Sequence, residues 1–135
     1  GGSPLVEVRT ASTGAWTTSY TMTASGTEEH LKSLIVYDDE LYAIEYEGTT
    51  PTIHIKKFDG TTWTTDRDLD SSDGAVAGNY PENFLLFGAD LFLAVRSTTI
   101  SANDGFLMKK SGGTWSKIVA AENISGYLGE LVTRT

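Results

Sequence analysis

The feature that most constrains this chain is a short turn followed by a tryptophan, which occurs three times. The tryptophans are Trp16, Trp63 and Trp115, and each is followed by Thr or Ser. They recur at intervals of roughly 50 residues, the length of one small repeated unit. Recurrence at this spacing predicts that a single supersecondary unit is used several times along the chain.

Segment 34–63 shows the unit most completely, as four successive β-strands that we call a, b, c and d. Its turns lie at residues 38–39, 47–51 and 59–60, where Asp, Gly and Pro interrupt the apolar pattern. Strands a and b are apolar on both faces, whereas c and d alternate between apolar and polar residues. This gradient is typical of a sheet whose inner strands are buried on both sides.

The four-strand pattern fits residues 31–67 and again residues 80–120, while residues 4–22 supply only strands c and d. Residues 127–135 supply one further strand a. Four short strands per 40 to 50 residues is the period of a β-propeller blade. We therefore predict an all-β fold, a single repeat domain over residues 1–135 with two complete blades and split pieces of a third. The alternative is an all-β chain in which three similar hairpins recur by chance.

The split third blade predicts self-association. Closure of one chain alone would give three blades, fewer than the usual four to eight, whereas two chains joined head to tail would give six. We therefore expect a homo-oligomer, with a head-to-tail dimer first, or else a fragment of a longer array. No segment before residue 5 supplies strand b of the split blade.

The tryptophan turns resemble the Asp-box of sialidase-type propellers, whose pattern is Ser-x-Asp-x-Gly-x-Thr-Trp on the hairpin between the third and fourth strands. The Gly, Thr and Trp of that pattern match Gly60, Thr62 and Trp63, and again Gly112, Thr114 and Trp115. Its Asp does not match, because Phe58 and Lys110 stand in that place. The blades are also similar to kelch-type and lectin-type blades. The resemblance implies propeller architecture and no particular activity, since this turn is structural in that family.

Composition narrows the classes of partner. The formal net charge of −8 disfavours nucleic-acid binding, because acidic surfaces repel phosphate backbones. The chain has no cysteine for disulfides or thiolate metal sites, and no apolar run of membrane-spanning length, so we expect no membrane partner. The pairs Lys56-Lys57 and Lys109-Lys110 are interpreted as solvated strand edges. The compartment stays open, with an extracellular or cell-surface location favoured.

Carboxylates at alternate positions form the one candidate metal site. They are Asp66, Asp68, Asp70 and Asp73, followed by Gly74. Calcium loops place hard oxygen ligands in this way. However, Ser71 stands where a calcium loop has its tight-turn Gly, which favours an acidic solvated connection over residues 66–79. We expect no other cofactor.

Three functions remain as hypotheses. The first is a non-catalytic binding or assembly module, with carbohydrate recognition through the polar loops 71–79 and 97–104. The second is part of a sialidase-like or other glycoside-hydrolase propeller, in which strand-end arginines would hold a substrate carboxylate; the candidates are Arg9, Arg96 and Arg134. The third is an excised or designed scaffold fragment without a ligand. The recurring tryptophans are expected to pack rather than to bind a ligand.

Overall fold

The structure, a computed structural model, describes residues 4–22, 29–47, 52–70, 72–73, 79–97 and 105–120. These residues form strands joined by turns, and none of them belongs to a helix that could cross a membrane. The strands are β1 (Leu5–Arg9), β2 (Trp16–Thr21), β3 (Glu29–Tyr37), β4 (Glu40–Glu47), β5 (Thr52–Phe58), β6 (Trp63–Leu69), β7 (Asn79–Phe87), β8 (Asp90–Ser97), β9 (Phe106–Ser111) and β10 (Thr114–Ala120).

The strands form three antiparallel sheets in which neighbours in the chain are neighbours in space. Sheet 1 contains β1 and β2, sheet 2 runs β3-β4-β5-β6, and sheet 3 runs β7-β8-β9-β10. The predicted all-β class and the antiparallel four-stranded sheets are confirmed. None of the three sheets closes on itself in the described part of the chain. The strand a predicted at 127–135 lies outside the described residues.

Tight hairpins join β3 to β4 and β9 to β10 and set the register of these two strand pairs. Asp38 and Asp39 both have positive φ, 53° and 61°, and so do Gly112 and Gly113, 54° and 86°. Two consecutive residues with positive φ give a two-residue turn whose twist matches that of the flanking strands. Glycine adopts this conformation freely, and aspartate tolerates it because its side chain can hydrogen-bond the local backbone.

The apolar core lies between sheets 2 and 3, where β3 and β4 contact β7. Its fully or nearly buried members come from both sheets: Tyr42, Ile44, Tyr46, Ile53, Ile55, Leu69, Phe84, Leu91, Leu93, Val95, Phe106 and Met108. Alternate residues of β4 face this core because side chains of a strand point to opposite faces.

One predicted boundary is wrong. The acidic connection was expected to begin at residue 66, but strand β6 continues to Leu69. Leu69 pairs with Ile53 and is fully buried with it. Burying that leucine extends the strand through three charged residues, 66–68, which the sequence pattern alone assigned to a loop.

Candidate functional site

The most regular feature of the molecule is a β-bulge at the same place in the last strand of every sheet. In each case the third residue after the tryptophan is skipped by the pairing register of the two strands. The skipped residues are Ser19 in β2, Asp66 in β6 and Ile118 in β10. A bulge leaves one residue unpaired and redirects its side chain. Two of these three side chains contact the next sheet.

At the junction between sheets 1 and 2, the bulged side chain accepts a hydrogen bond from the following tryptophan. The Nε1 of Trp63 donates to the Oγ of Ser19 over 3.0 Å. Phe58, which pairs with Trp63 across β5 and β6, stacks on the indole with ring centroids 5.2 Å apart. Beside this contact, the Tyr20 hydroxyl donates to Glu45 over 2.8 Å, and Lys56 lies 3.1 Å from the same carboxylate oxygen.

At the junction between sheets 2 and 3, the same geometry carries an ion pair. The Nε1 of Trp115 donates to the Oδ2 of Asp66 over 2.6 Å, and the Nζ of Lys110 donates to the same oxygen over 2.5 Å. The side chains of Asp66 and Lys110 are only 10% and 5% exposed. The Lys110 ammonium also lies 5.2 Å from the ring of Tyr42. A charged pair is thus held almost out of contact with water, 44 residues apart in the chain.

The two junctions are versions of one arrangement with different chemistry. Lys110 occupies the position of Phe58, since each pairs with the tryptophan of its hairpin. Asp66 occupies the position of Ser19. The expectation that Lys110 is a solvated strand edge is therefore wrong, because a carboxylate on the neighbouring sheet makes its burial possible. Lys57 and Lys109 are partly buried, and each forms an ion pair at the surface of its sheet, whereas Lys56 pairs with the buried Glu45 beside the junction of sheets 1 and 2.

Two tyrosines at the junctions are held in the neutral form. Burial raises the pKa of Tyr20, and its hydrogen bond to Glu45 raises it further. Burial also raises the pKa of Tyr42, with the Asp66 carboxylate as the next cause and a hydrogen bond to Glu40 after it. Deprotonation of either phenol would place a second negative charge beside a carboxylate in a region of low dielectric.

The inner strand of sheet 2 carries an apolar strip that sheet 1 does not cover. Leu34 and Val36 of β3 are 56% and 61% exposed. The residue that matches Leu34 in the next repeat is Phe84 of β7, which is 7% exposed and packs edge-on against Tyr42 of β4. The difference follows from the strands available: sheet 2 offers β4 to cover Phe84, whereas sheet 1 has only two strands in the described part of the chain.

The four carboxylates of the candidate metal site take separate partners. Asp66 and Asp68 lie within β6, Asp66 bound to Lys110 and Asp68 2.5 Å from the Nδ1 of His54. Asp70 accepts from the backbone and hydroxyl of Ser72, and Asp73 pairs with Arg67 over 2.8 Å. Among the described residues, no three His, Asp or Glu side chains are grouped so as to hold a metal. Ser71 and Gly74 lie outside the described residues, and the calcium site stays a prediction.

The other candidate residues are distributed over different sheets. Arg9, at the end of β1, donates its Nε to the carbonyl of Gly14 over 3.3 Å. Arg96 of β8 pairs with Glu82 and lies 5.0 Å from the ring of Tyr80. Arg134, most of loop 71–79 and most of loop 97–104 lie outside the described residues. Carbohydrate recognition through those loops therefore stays a prediction.

Comparisons of the chain with protein-family models, with curated proteins and with solved structures found no match.

Proposed function

We propose that this chain is a non-catalytic assembly module that completes a ring of β-sheets together with a second copy of itself. The observation that supports this most directly is the exposure of Leu34. Its counterpart in the next repeat, Phe84, is buried by an inner strand of the preceding sheet, whereas Leu86, the counterpart of Val36, is 39% exposed. An exposed apolar side chain at a position that the next repeat covers marks a place where further strands belong.

The stacking of the sheets also supports a ring. Trp63 and Trp115 each contact the sheet that precedes them in the chain, so sheets 2 and 3 are added in one direction through one repeated contact. Three such sheets are fewer than the four to eight of known propellers, whereas two copies would supply six. Sheet 1 would then lie between two neighbouring sheets of the ring instead of at an open end of the stack.

The position of the charged groups supports a structural rather than a catalytic role. The least exposed ion pairs, Asp66 with Lys110 and Glu45 with Lys56, lie within or beside the sheet junctions. Groups in these positions hold neighbouring sheets in register and are shielded from a substrate by the sheets themselves.

The test is the mass of the purified protein in solution. Light scattering after gel filtration, repeated over a range of concentrations, should give twice the mass of one chain at the upper end of the range. Leu34→Lys should shift the protein towards monomer, because it places a charge at the position whose counterpart, Phe84, is buried in the next repeat. Thr64→Lys, an exposed position on β6, is the matched control and should leave the dimer unchanged. A compact, stably folded monomer at all concentrations would refute the proposal.

A further inference from the structure

The repeated junction leaves two of its members unused at opposite ends of the described chain. Trp16 of sheet 1 is 63% exposed, and the bulged Ile118 of sheet 3 is 45% exposed. Trp63 and Trp115 each reach the bulged residue of the preceding sheet, and in the described part of the chain no sheet precedes sheet 1 or follows sheet 3. One free tryptophan and one free bulge therefore remain.

We propose that a second copy of the chain docks its sheet 1 onto sheet 3 of the first, with Trp16 of one copy over Ile118 of the other. This inference rests on the proposed assembly function and names the surfaces that carry it. The occupant is a second copy because the two faces are the two halves of a junction that the chain already forms twice.

The directions of the side chains agree with this docking. Trp63 faces sheet 1 and Asp66, three residues later, faces sheet 3. By the same spacing, Trp115 faces sheet 2 and Ile118 faces away from it, while Ser19 faces sheet 2 and Trp16 faces away from it. The two free members therefore lie on the two outer faces of the stack, which is the arrangement that head-to-tail docking needs.

The chemistry of this junction differs from that of the two internal ones. Ile118 cannot accept the indole hydrogen bond that Ser19 and Asp66 accept. Arg9, which pairs with Trp16 as Lys110 pairs with Trp115, brings a cation for which Ile118 offers no carboxylate. The junction between copies thus lacks both the indole hydrogen bond and the ion pair, and it is weaker than the junctions within a chain. The dimer should dissociate on dilution while each chain stays folded.

Cross-linking tests the relative orientation of the two copies. The sequence contains no cysteine, so only the introduced thiols can react. Thr18→Cys and Ser116→Cys place thiols beside Trp16 and Ile118 at exposed positions and leave both contact residues intact. A short bis-maleimide added to an equal mixture of the two variants should give a mixed dimer. Dimers of Thr18→Cys chains with themselves would show head-to-head docking and overturn the inference, as would the lack of any cross-link in a protein that is dimeric by mass.

A variant designed to tighten the dimer tests whether Ile118 occupies the same place in the junction as Asp66. Ile118→Asp supplies the carboxylate that Asp66 supplies internally, so Trp16 and Arg9 of the second copy would complete the ionic version of the junction. Close interfacial charge pairs add enough free energy to tighten the dimer about tenfold or more. Arg9→Met in the same background should remove the gain. Thr114→Asp, which adds the same charge elsewhere on β10, should not tighten the dimer, and an equal gain there would overturn the inference.

The two proposals fail in different ways. If the wild-type chain is monomeric by mass, the assembly function itself is wrong. If it is dimeric but Trp16→Ala leaves the dissociation constant unchanged, assembly stands and the assigned surfaces are wrong.

Discussion

The junction between sheets 2 and 3 permits a sharp test, because the chain itself contains a neutral version of the same contact. Asp66→Ser and Lys110→Phe together would place at this junction the two residues that Ser19 and Phe58 supply at the other. We expect each single substitution to destabilise the fold strongly and the double substitution to restore most of the loss.

The magnitude follows from burial. Among the described residues, Asp66 is the carboxylate that binds the Lys110 ammonium, and Asp66→Ser removes it. Lys110→Phe leaves the Asp66 carboxylate with the indole N–H of Trp115. Removing one partner of a buried ion pair costs about 3–5 kcal/mol, whereas replacing both by well-packed uncharged groups is often close to neutral. The coupling free energy should therefore be at least about 3 kcal/mol, far above the ~0.5 kcal/mol within which independent sites add.

The assay is equilibrium unfolding in urea of the wild type, both single variants and the double variant, at a concentration where the oligomeric state is the same. Lys57→Met is the matched control, because the Lys57–Glu40 pair is about one third exposed. Exposed pairs contribute about 0.2–1 kcal/mol, so this variant should lose no more than that. Single-variant losses that simply add in the double variant would show that the contact across the junction does not exist.

Two further predictions concern titration and calcium. Because the pKa values of Tyr20 and Tyr42 are raised, their contribution to stability is complete below the usual pKa of about 10 and is lost as the pH rises towards the folded values. The absorbance of ionised tyrosine near 295 nm should therefore rise in two phases, and Tyr42→Phe should flatten the alkaline loss of stability. Calcium should leave the melting temperature unchanged, because the carboxylates at residues 66–73 already hold separate partners; a calcium-dependent rise would contradict this.

Most of the fold could be predicted from patterns within short segments of the sequence. These patterns are the apolar runs of strands a and b, the Asp and Gly turns and the recurring tryptophans. Together they predicted, in the correct order, the ten strands that the structure describes. Leu69 shows where such signals fail. Its strand is extended by pairing with Ile53, a contact that only the register between strands reveals.

The junction contacts could not be predicted because their members share no residue type. Ser19, Asp66 and Ile118 are unlike one another, and a bulge depends on the pairing of two strands rather than on the residue at the bulge. The burial of Lys110 could not be predicted for a related reason. A lysine is almost never fully buried without a partner, and the partner of Lys110 is Asp66, which lies on another sheet. The bulged residue always lies three positions after the tryptophan, and this constant spacing was the one feature of the sequence that could have located the bulges. Its meaning becomes clear only once the structure of one junction is known.

The two internal junctions share one backbone arrangement but contain different side chains, and this difference limits the order in which the sheets can pack. If sheet 3 packed on sheet 1, Lys110 would meet Ser19 and lie buried without the carboxylate of Asp66. If sheet 2 packed on a second sheet 2, Asp66 would meet Phe58 and Trp63 and lose the ammonium. Each misordered junction would bury an unpaired charge, at a cost of several kcal/mol that the correct order avoids. The Ile118 face differs, because it carries no charge of its own. The exposed Trp16 hairpin is the one that the described part of the fold leaves available to it, and the missing carboxylate for Arg9 makes that junction weaker than the internal ones.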